Sequence, residues 1–294
     1  MSGVAPSLDT APPTGSFPPV DTGIPIRLQL TLQYDGSGFH GWQFQPDQRT
    51  VQGELEAAVS RLAGFHRTVV GSGRTDTGVH ASGQVASVDM PPRWTPEALL
   101  RALNALLPED IWVQEVHRVR GDFHPRFDAL ARTYVYRVGT RPDARSPFHR
   151  PWCWALGRTL DPAALGRAAA CIPGERSFLA FAKAGQPERG DWCRVDRAVW
   201  DEWELGLRFT ITADRYLHHM VRYLVGTMVE VARGRRPVED MEALLRSEPG
   251  LETSPPAPPE GLFLARVEYP EHVRVPDGPQ QQDPPSEARS TADP

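Results

Sequence analysis

Polar and apolar residues alternate over RLQLTLQY (27–34), with Leu28, Leu30, Leu32 and Tyr34 on one side. A period of two marks a strand with one buried face. The period then lengthens. In TVQGELEAAVSRLAG (50–64), Val51, Leu55, Ala58 and Leu62 recur at spacings of four, three and four. That stripe predicts an amphipathic helix, capped by Thr50 and stopped by Gly64. Strands are expected near 67–71 and 84–90. Thr95-Pro96 opens a helix to about Leu107, ahead of Pro108, and IWVQEVHRV (111–119) is a strand again. The order β-α-β-β-α-β is the ferredoxin-like arrangement. A second series repeats it: a strand at 132–138, a helix from Asp161-Pro162 to about Ile172, and strands near 193–203 and 206–213. An apolar helix at 217–233, a short helix from Pro237 to about Leu245 and a strand at 261–269 complete it. No sequence repeat accompanies the repeated plan. The pattern predicts an α+β fold of two ferredoxin-like α/β domains with mainly antiparallel sheets, 27–130 and 131–270.

Composition changes the picture at the ends. Residues 1–26 hold six prolines, Asp9 and Asp21 and no base; residues 271–294 hold five prolines, Gln280 to Gln282, five acids and two arginines. Both are expected to be disordered tails, with too little apolar surface to offset ordering. They also carry the whole net charge of −5, leaving 30 acids and 30 bases in 27–270. Charge therefore neither supports nor excludes nucleic-acid binding. Lys183 is the only lysine against 31 arginines. Arginine's planar fork suits bidentate phosphate contacts, although a genome-wide arginine preference gives the same count. The three cysteines, Cys153, Cys171 and Cys193, are far apart with no CxxC, against a disulfide framework or a zinc site. No run of about 18 apolar residues and no secretory leader is present, so a cytoplasmic location is expected.

Chemistry concentrates in four segments. GSGRTDTGVHASGQV (71–85) sets Arg74, Asp76 and His80 among glycines at 71, 73, 78 and 83. Arg74 and Asp76 are two apart, so in extended chain both point the same way, and an arginine beside a carboxylate favours its charged form. A surface turn fits the same composition; a phosphate loop does not, because GxxxxGK[ST] is absent. GDFHPRFDALARTYVYRV (121–138) interleaves Arg126, Arg132 and Arg137 with Phe123, Phe127, Tyr134 and Tyr136. Such a mixture holds phosphates and stacks bases, and also suits an ordinary half-buried strand, with Tyr134 and Tyr136 on one face. In YLHHMVRYLVGTMVEVARG (216–234), Arg222 sits among apolar residues. A buried arginine needs an acidic partner, and Asp76 is the candidate. His218 and His219 are adjacent and fall on different helix faces, which is poor chelation geometry. YDGSGFHGWQFQ (34–45) is either a turn packing Trp42 on the core or an RNA-facing loop.

Taken together, these segments resemble one family. GRTDTGVHASGQV is similar to the GRTDxGVHAxGQV signature of bacterial tRNA pseudouridine synthase A. YDGSGFHGWQ with VQGELEAA, DFHPRFDALARTYVYRV, and HHMVRYLVGTMVEV with APPEGLFLARVEYP match in the same order over about 28–270. The resemblance implies two ferredoxin-like halves with a basic cleft between them, in a homodimer. It implies isomerisation of uridine to pseudouridine in the tRNA anticodon stem-loop (positions 38, 39 and 40), without metal or cofactor. Asp76 falls on the family's catalytic aspartate, Tyr134 on the tyrosine that packs on the base, Arg74 on the arginine flanking the aspartate, and Arg222 on the basic residue pairing with the carboxylate. One departure is visible: family members carry His/Asn-Asp-Phe where this chain reads Glu175-Arg176-Ser177-Phe178. Two other classes compete. A non-catalytic RNA-binding module would not need Asp76, and a metal-dependent hydrolase would need His and carboxylates at ligand spacing.

Overall fold

The computed structural model describes residues 23–183 and 190–275. Most of both expected tails, 1–22 and 276–294, lies outside the described residues.

The strands and helices are, in chain order, β1 (Ile26–Tyr34), α1 (Val51–Ala63), β2 (Val70–Gly71), β3 (His80–Met90), α2 (Pro96–Leu106), β4 (Ile111–Arg118), β5 (Ala131–Gly139), β6 (Trp154–Ala155), α3 (Pro162–Ala170), β7 (Gly174–Ser177), β8 (Trp192–Trp203), β9 (Gly206–Ala213), α4 (Met220–Ala232), α5 (Glu239–Leu245) and β10 (Leu262–Glu268). Local chemistry explains the helix starts. The Thr50 and Thr95 hydroxyls accept from the main-chain N–H three residues on, Asp161 accepts from Ala163 and Ala164, and proline follows Thr95 and Asp161. Gly64 ends α1 in the left-handed region.

The ten strands of the described residues join one sheet, in the order β4-β1-β3-β10-β5-β9-β8-β7, with β2 beside β3 and β6 beside β5. Neighbours are antiparallel except β3 with β10 and β5 with β6. The last, first, third and second strands of the first series lie in the order β4-β1-β3-β2. Those of the second repeat it as β10-β5-β9-β8. The two runs meet at β3 and β10, a parallel contact of two register pairs, Phe263 with His80 and Leu264 with Ala81.

Cross-strand partners share a face, and one row can be followed across the middle of the sheet. It runs from Tyr34 to Ala81, Leu264, Tyr134, Ile211 and Ala198. Leu28, Leu30 and Leu32 of β1 stand on this face with no exposure, packed with Val51, Leu55 and Val59 of α1 and Leu99 and Leu103 of α2. At the other end Phe209, Ile211 and Ala198 pack with Leu165 of α3 and Leu224 and Met228 of α4. A single apolar cluster spans both ends.

Two boundaries differ from expectation. The apolar helix begins at Met220, not 217, because His219 at φ 64° breaks the helical path. The folded chain also runs past 270: Val273 is buried with Val119 and Phe123, and Val119 bridges Arg274.

The central joint has no spare room. A methyl group at Gly83 of β3 would run into the Ala265 carbonyl, where the register of β10 shifts. Gly83→Ala should therefore lower stability by about 1–3 kcal/mol, the usual cost of overpacking. Urea unfolding at neutral pH measures it, with Gly121→Ala, whose surroundings are open, as the control expected to stay near wild type.

Candidate active site

The glycine-rich loop between β2 and β3 is pinned, not pliable. Ser72 donates to Val85 O (2.7 Å), and the Gln84 side-chain amide donates to Gly73 O (2.9 Å). The Thr75 hydroxyl shares a 2.7 Å hydrogen bond with that of Tyr34, and Thr75 O accepts from Trp42 N. Val79 N–H closes a turn onto Asp76 O. From below, buried Arg132 donates to Ser72 O and Arg126 O (both 2.9 Å) and to Asp214 O (3.1 Å). Three carbonyls thus hold its guanidinium, and burial pushes its proton affinity down. Trp42 is buried against Gly71, which settles it as a core residue.

Asp76 emerges from this frame toward the start of α4. Its Oδ2 lies 3.5 Å from Arg222 Nη1 and 3.3 Å from His219 Nε2, and its Oδ1 lies 3.3 Å from His218 Nε2. The Asp76 side chain keeps 24% exposure. Arg222 is the expected partner. Its Nε donates to Ala257 O (2.7 Å) and its own carbonyl accepts from Ala257 N, so the segment before β10 holds it in place. Tyr134 lies in the floor with 7% exposure, edge-on to Tyr216 at 4.8 Å between ring centroids. Burial pushes its phenol up to about 12.

The structure does not bring Arg74 to Asp76. Arg74 is exposed, and among the described residues its side chain has no hydrogen bond or ion pair. Residues 74–76 lie outside any strand, so a spacing of two does not align the side chains.

The two histidines correct the sequence reading in the other direction. On a continuous helix they would diverge. Here the left-handed backbone at His219 precedes the first helical turn, and both imidazoles converge on one carboxylate. The ligand atoms of Asp76, His218 and His219 all lie within 4.8 Å of one another, so the spacing is suited to chelation. Burial outweighs the Asp76 charge at His219 and lowers its proton affinity. The signal available in sequence was the pair HH directly ahead of a helix containing Arg222.

His80, in the same loop motif, is a structural pin. Its Nδ1 accepts from Gly36 N (3.0 Å), its Nε2 faces Pro151 O (3.0 Å), and its ring stacks on Phe263 of β10 at 4.8 Å. Where the Glu175-Arg176-Ser177-Phe178 stretch departs from the family pattern, the Ser177 hydroxyl bonds to the Asp191 carboxylate and Phe178 is fully buried.

Burial exceeds the nearby Asp35 charge at His80 and lowers its proton affinity in the fold. The unfolded chain, with an ordinary histidine near 6.5, takes up a proton first as pH falls. The contribution of neutral His80 is therefore full above about pH 6.5 and drains away as pH falls through the lower folded value. His80→Phe keeps the stack but leaves the Gly36 N–H unpartnered, which should cost about 1–3 kcal/mol at neutral pH. Urea midpoints at neutral and mildly acidic pH should fall less with acidification in this variant than in wild type.

A model of the tRNA pseudouridine synthase family matches residues 31–128 and 168–270. The chain is 42% identical over 246 residues to tRNA pseudouridine synthase A of Moorella thermoacetica, which covers 82% of this chain and 99% of that protein. The protein of the same name from Syntrophomonas wolfei is 38% identical over 245 residues, 83% of this chain and 98% of that one. That from Bordetella petrii is 39% identical over 256 residues, 85% of this chain and 94% of that one. The loop around Asp76 and the helix of Arg222 fall within the residues the family model matches, the strand of Tyr134 lies between its two stretches, and the chain belongs to the tRNA pseudouridine synthase family.

Proposed function

We propose that this chain isomerises uridine to pseudouridine in the anticodon stem-loop of tRNAs, with Asp76 as the catalytic carboxylate. The observation that carries the reading is the setting of Asp76: a carboxylate on a pinned loop, facing the Arg222 guanidinium, and still open to a ligand. In this reading the sheet is two ferredoxin-like halves, 27–130 and 131–270, joined at β3 and β10, and the cleft over that joint takes the RNA. The repeated strand order supports the division.

Pseudouridine formation breaks the C1′–N1 bond, turns the uracil and joins C1′ to C5. N1 gains a proton and C5 loses one, so the net change is an isomerisation that consumes no cofactor. The base must first leave the stack, at a cost of a few kcal/mol. Exposed Arg74 reaches toward the RNA and holds the opened state, while Tyr134 packs on the base. Asp76 acts on the ribose, either adding to C1′ or removing the C2′ proton; both use the carboxylate as an anion, with Arg222 beside it. Tyr134, protonated at neutral pH, takes the C5 proton only as it passes its own on. The enzyme acts as a homodimer in the cytoplasm.

Asp76→Asn preserves shape and removes charge. It should abolish product while tRNA binding by filter retention stays within about threefold, and turnover by this variant would sink the assignment. Tyr134→Phe keeps the ring and removes the hydroxyl, and should lower kcat by about 10²–10⁴, the worth of a positioned proton-transfer group. A wild-type rate would leave stacking as its whole role. Pseudouridine mapping of total tRNA from a deletion strain, with and without the gene restored, tests reaction and target together. Activity is expected to survive EDTA.

A further inference from the structure

We propose that Asp76, His218 and His219 form a reversible inhibitory site for a borderline transition cation, Zn²⁺ first among them. Two imidazoles and one carboxylate are the donor set of three-ligand zinc sites that leave the fourth position open. The spacing fits as well as the donors. With zinc–ligand bonds of about 2.0–2.1 Å, the edges of a tetrahedron are about 3.3 Å. His218 Nε2 stands 3.3 Å from Asp76 Oδ1 and His219 Nε2 stands 3.3 Å from Asp76 Oδ2, so each imidazole faces its own carboxylate oxygen. The three ligand atoms lie within 4.8 Å of one another, so closing on an ion needs a contraction of up to about 1.5 Å towards that edge.

The backbone is already arranged for this convergence. His219 holds φ 64°, a left-handed conformation rare outside glycine. It is this bend that aims both imidazoles at the same group. Two cations oppose the ion: Lys183, whose charge acts on His219, and Arg222, whose Nη1 lies 3.5 Å from Asp76 Oδ2. Arg222 Nε is tied to Ala257 O, so it stays close and weakens binding relative to an uncharged pocket. Mg²⁺, which prefers oxygen ligands and an octahedron, does not suit this site, whereas Zn²⁺ and Co²⁺ do. The Mg²⁺ that accompanies tRNA therefore leaves the site free.

A bound ion occupies the carboxylate oxygens and cancels the charge of Asp76. The consequence for activity rests on the reading of Asp76 as catalytic, but binding itself does not, so the two can fail separately. The test uses the full-length, tag-free protein with ZnCl₂ in calorimetry and CoCl₂ in visible absorption. Wild type should bind one ion per chain, with the strong d–d bands of four-coordinate Co²⁺. Pseudouridine formation should fall with the same midpoint and return on adding EDTA, and tRNA should compete with the ion. A His218→Gln, His219→Gln double variant of unchanged circular dichroism should bind at least about tenfold more weakly, the loss expected when metal-site groups are removed. Asp76→Asn should weaken binding independently. Unchanged Co²⁺ bands in the double variant, or no ion bound to wild type at inhibitory Zn²⁺, would overturn the proposal. Inhibition with normal binding loss in both variants supports it; binding without inhibition would keep the site and refute its inhibitory role.

Discussion

The parallel contact between β3 and β10 is the constraint on which the rest depends. It is short, two register pairs, yet it joins two antiparallel runs into one sheet and places the Asp76 loop beside β10. Gly83 exists at this point because Ala265 bulges over it. His80, the first residue of β3, stacks on Phe263 of β10 and reaches Gly36 and Pro151 on either side. Three segments distant in sequence are therefore fixed to one imidazole. The loop that carries Asp76 is anchored at its end by that ring and from beneath by Arg132.

Electrostatics around the site follow from how these anchors are chosen. Arg132, which holds Ser72, spends its donors on carbonyls. It contributes a positive charge beneath the loop without capturing Asp76. Arg222 meets Asp76 at 3.5 Å, longer than the 2.7–2.9 Å of a strong charge-assisted bond. A carboxylate in such loose contacts remains free to turn toward a substrate. A tight bidentate pair, as between Arg49 and Asp110 at 2.6 and 2.8 Å, would lock it.

Periodicity made most of the fold legible. The leucine alternation of β1, the stripe of α1 with its Thr50 cap, and the Thr95-Pro96 start of α2 depend on neighbours within one turn or one pleat, and such signals survive in sequence. The pairing of β3 with β10 does not, because it depends on a contact between residues far apart in the chain. The site divides along the same line. Arg222 was legible because a cation among apolar residues demands a carboxylate. The convergence of His218 and His219 was not, since one left-handed residue reverses what helical spacing implies. The pairing of Arg74 with Asp76 did not form for a related reason: two residues apart means the same face only in an extended chain, and 74–76 lie in no strand.

The glycines of the loop then take a different meaning from pliability. Gly78 of the loop and Gly41 of the segment packed against it both hold positive φ, and a side chain on Gly41 would press on Thr75 O. They let neighbouring backbone approach and so stiffen the loop. A site built this way cannot adapt much to its ligand, which shifts the conformational work to the RNA. On the proposed reading, that is the efficient division. Charge placed in advance need not be reorganised at the moment of reaction, and the cost of unstacking is met by contacts made only once the base is in the cleft. Arg74 is the exception, exposed and unpaired among the described residues. It is the one charged side chain of the loop left free to follow the nucleic acid as it opens.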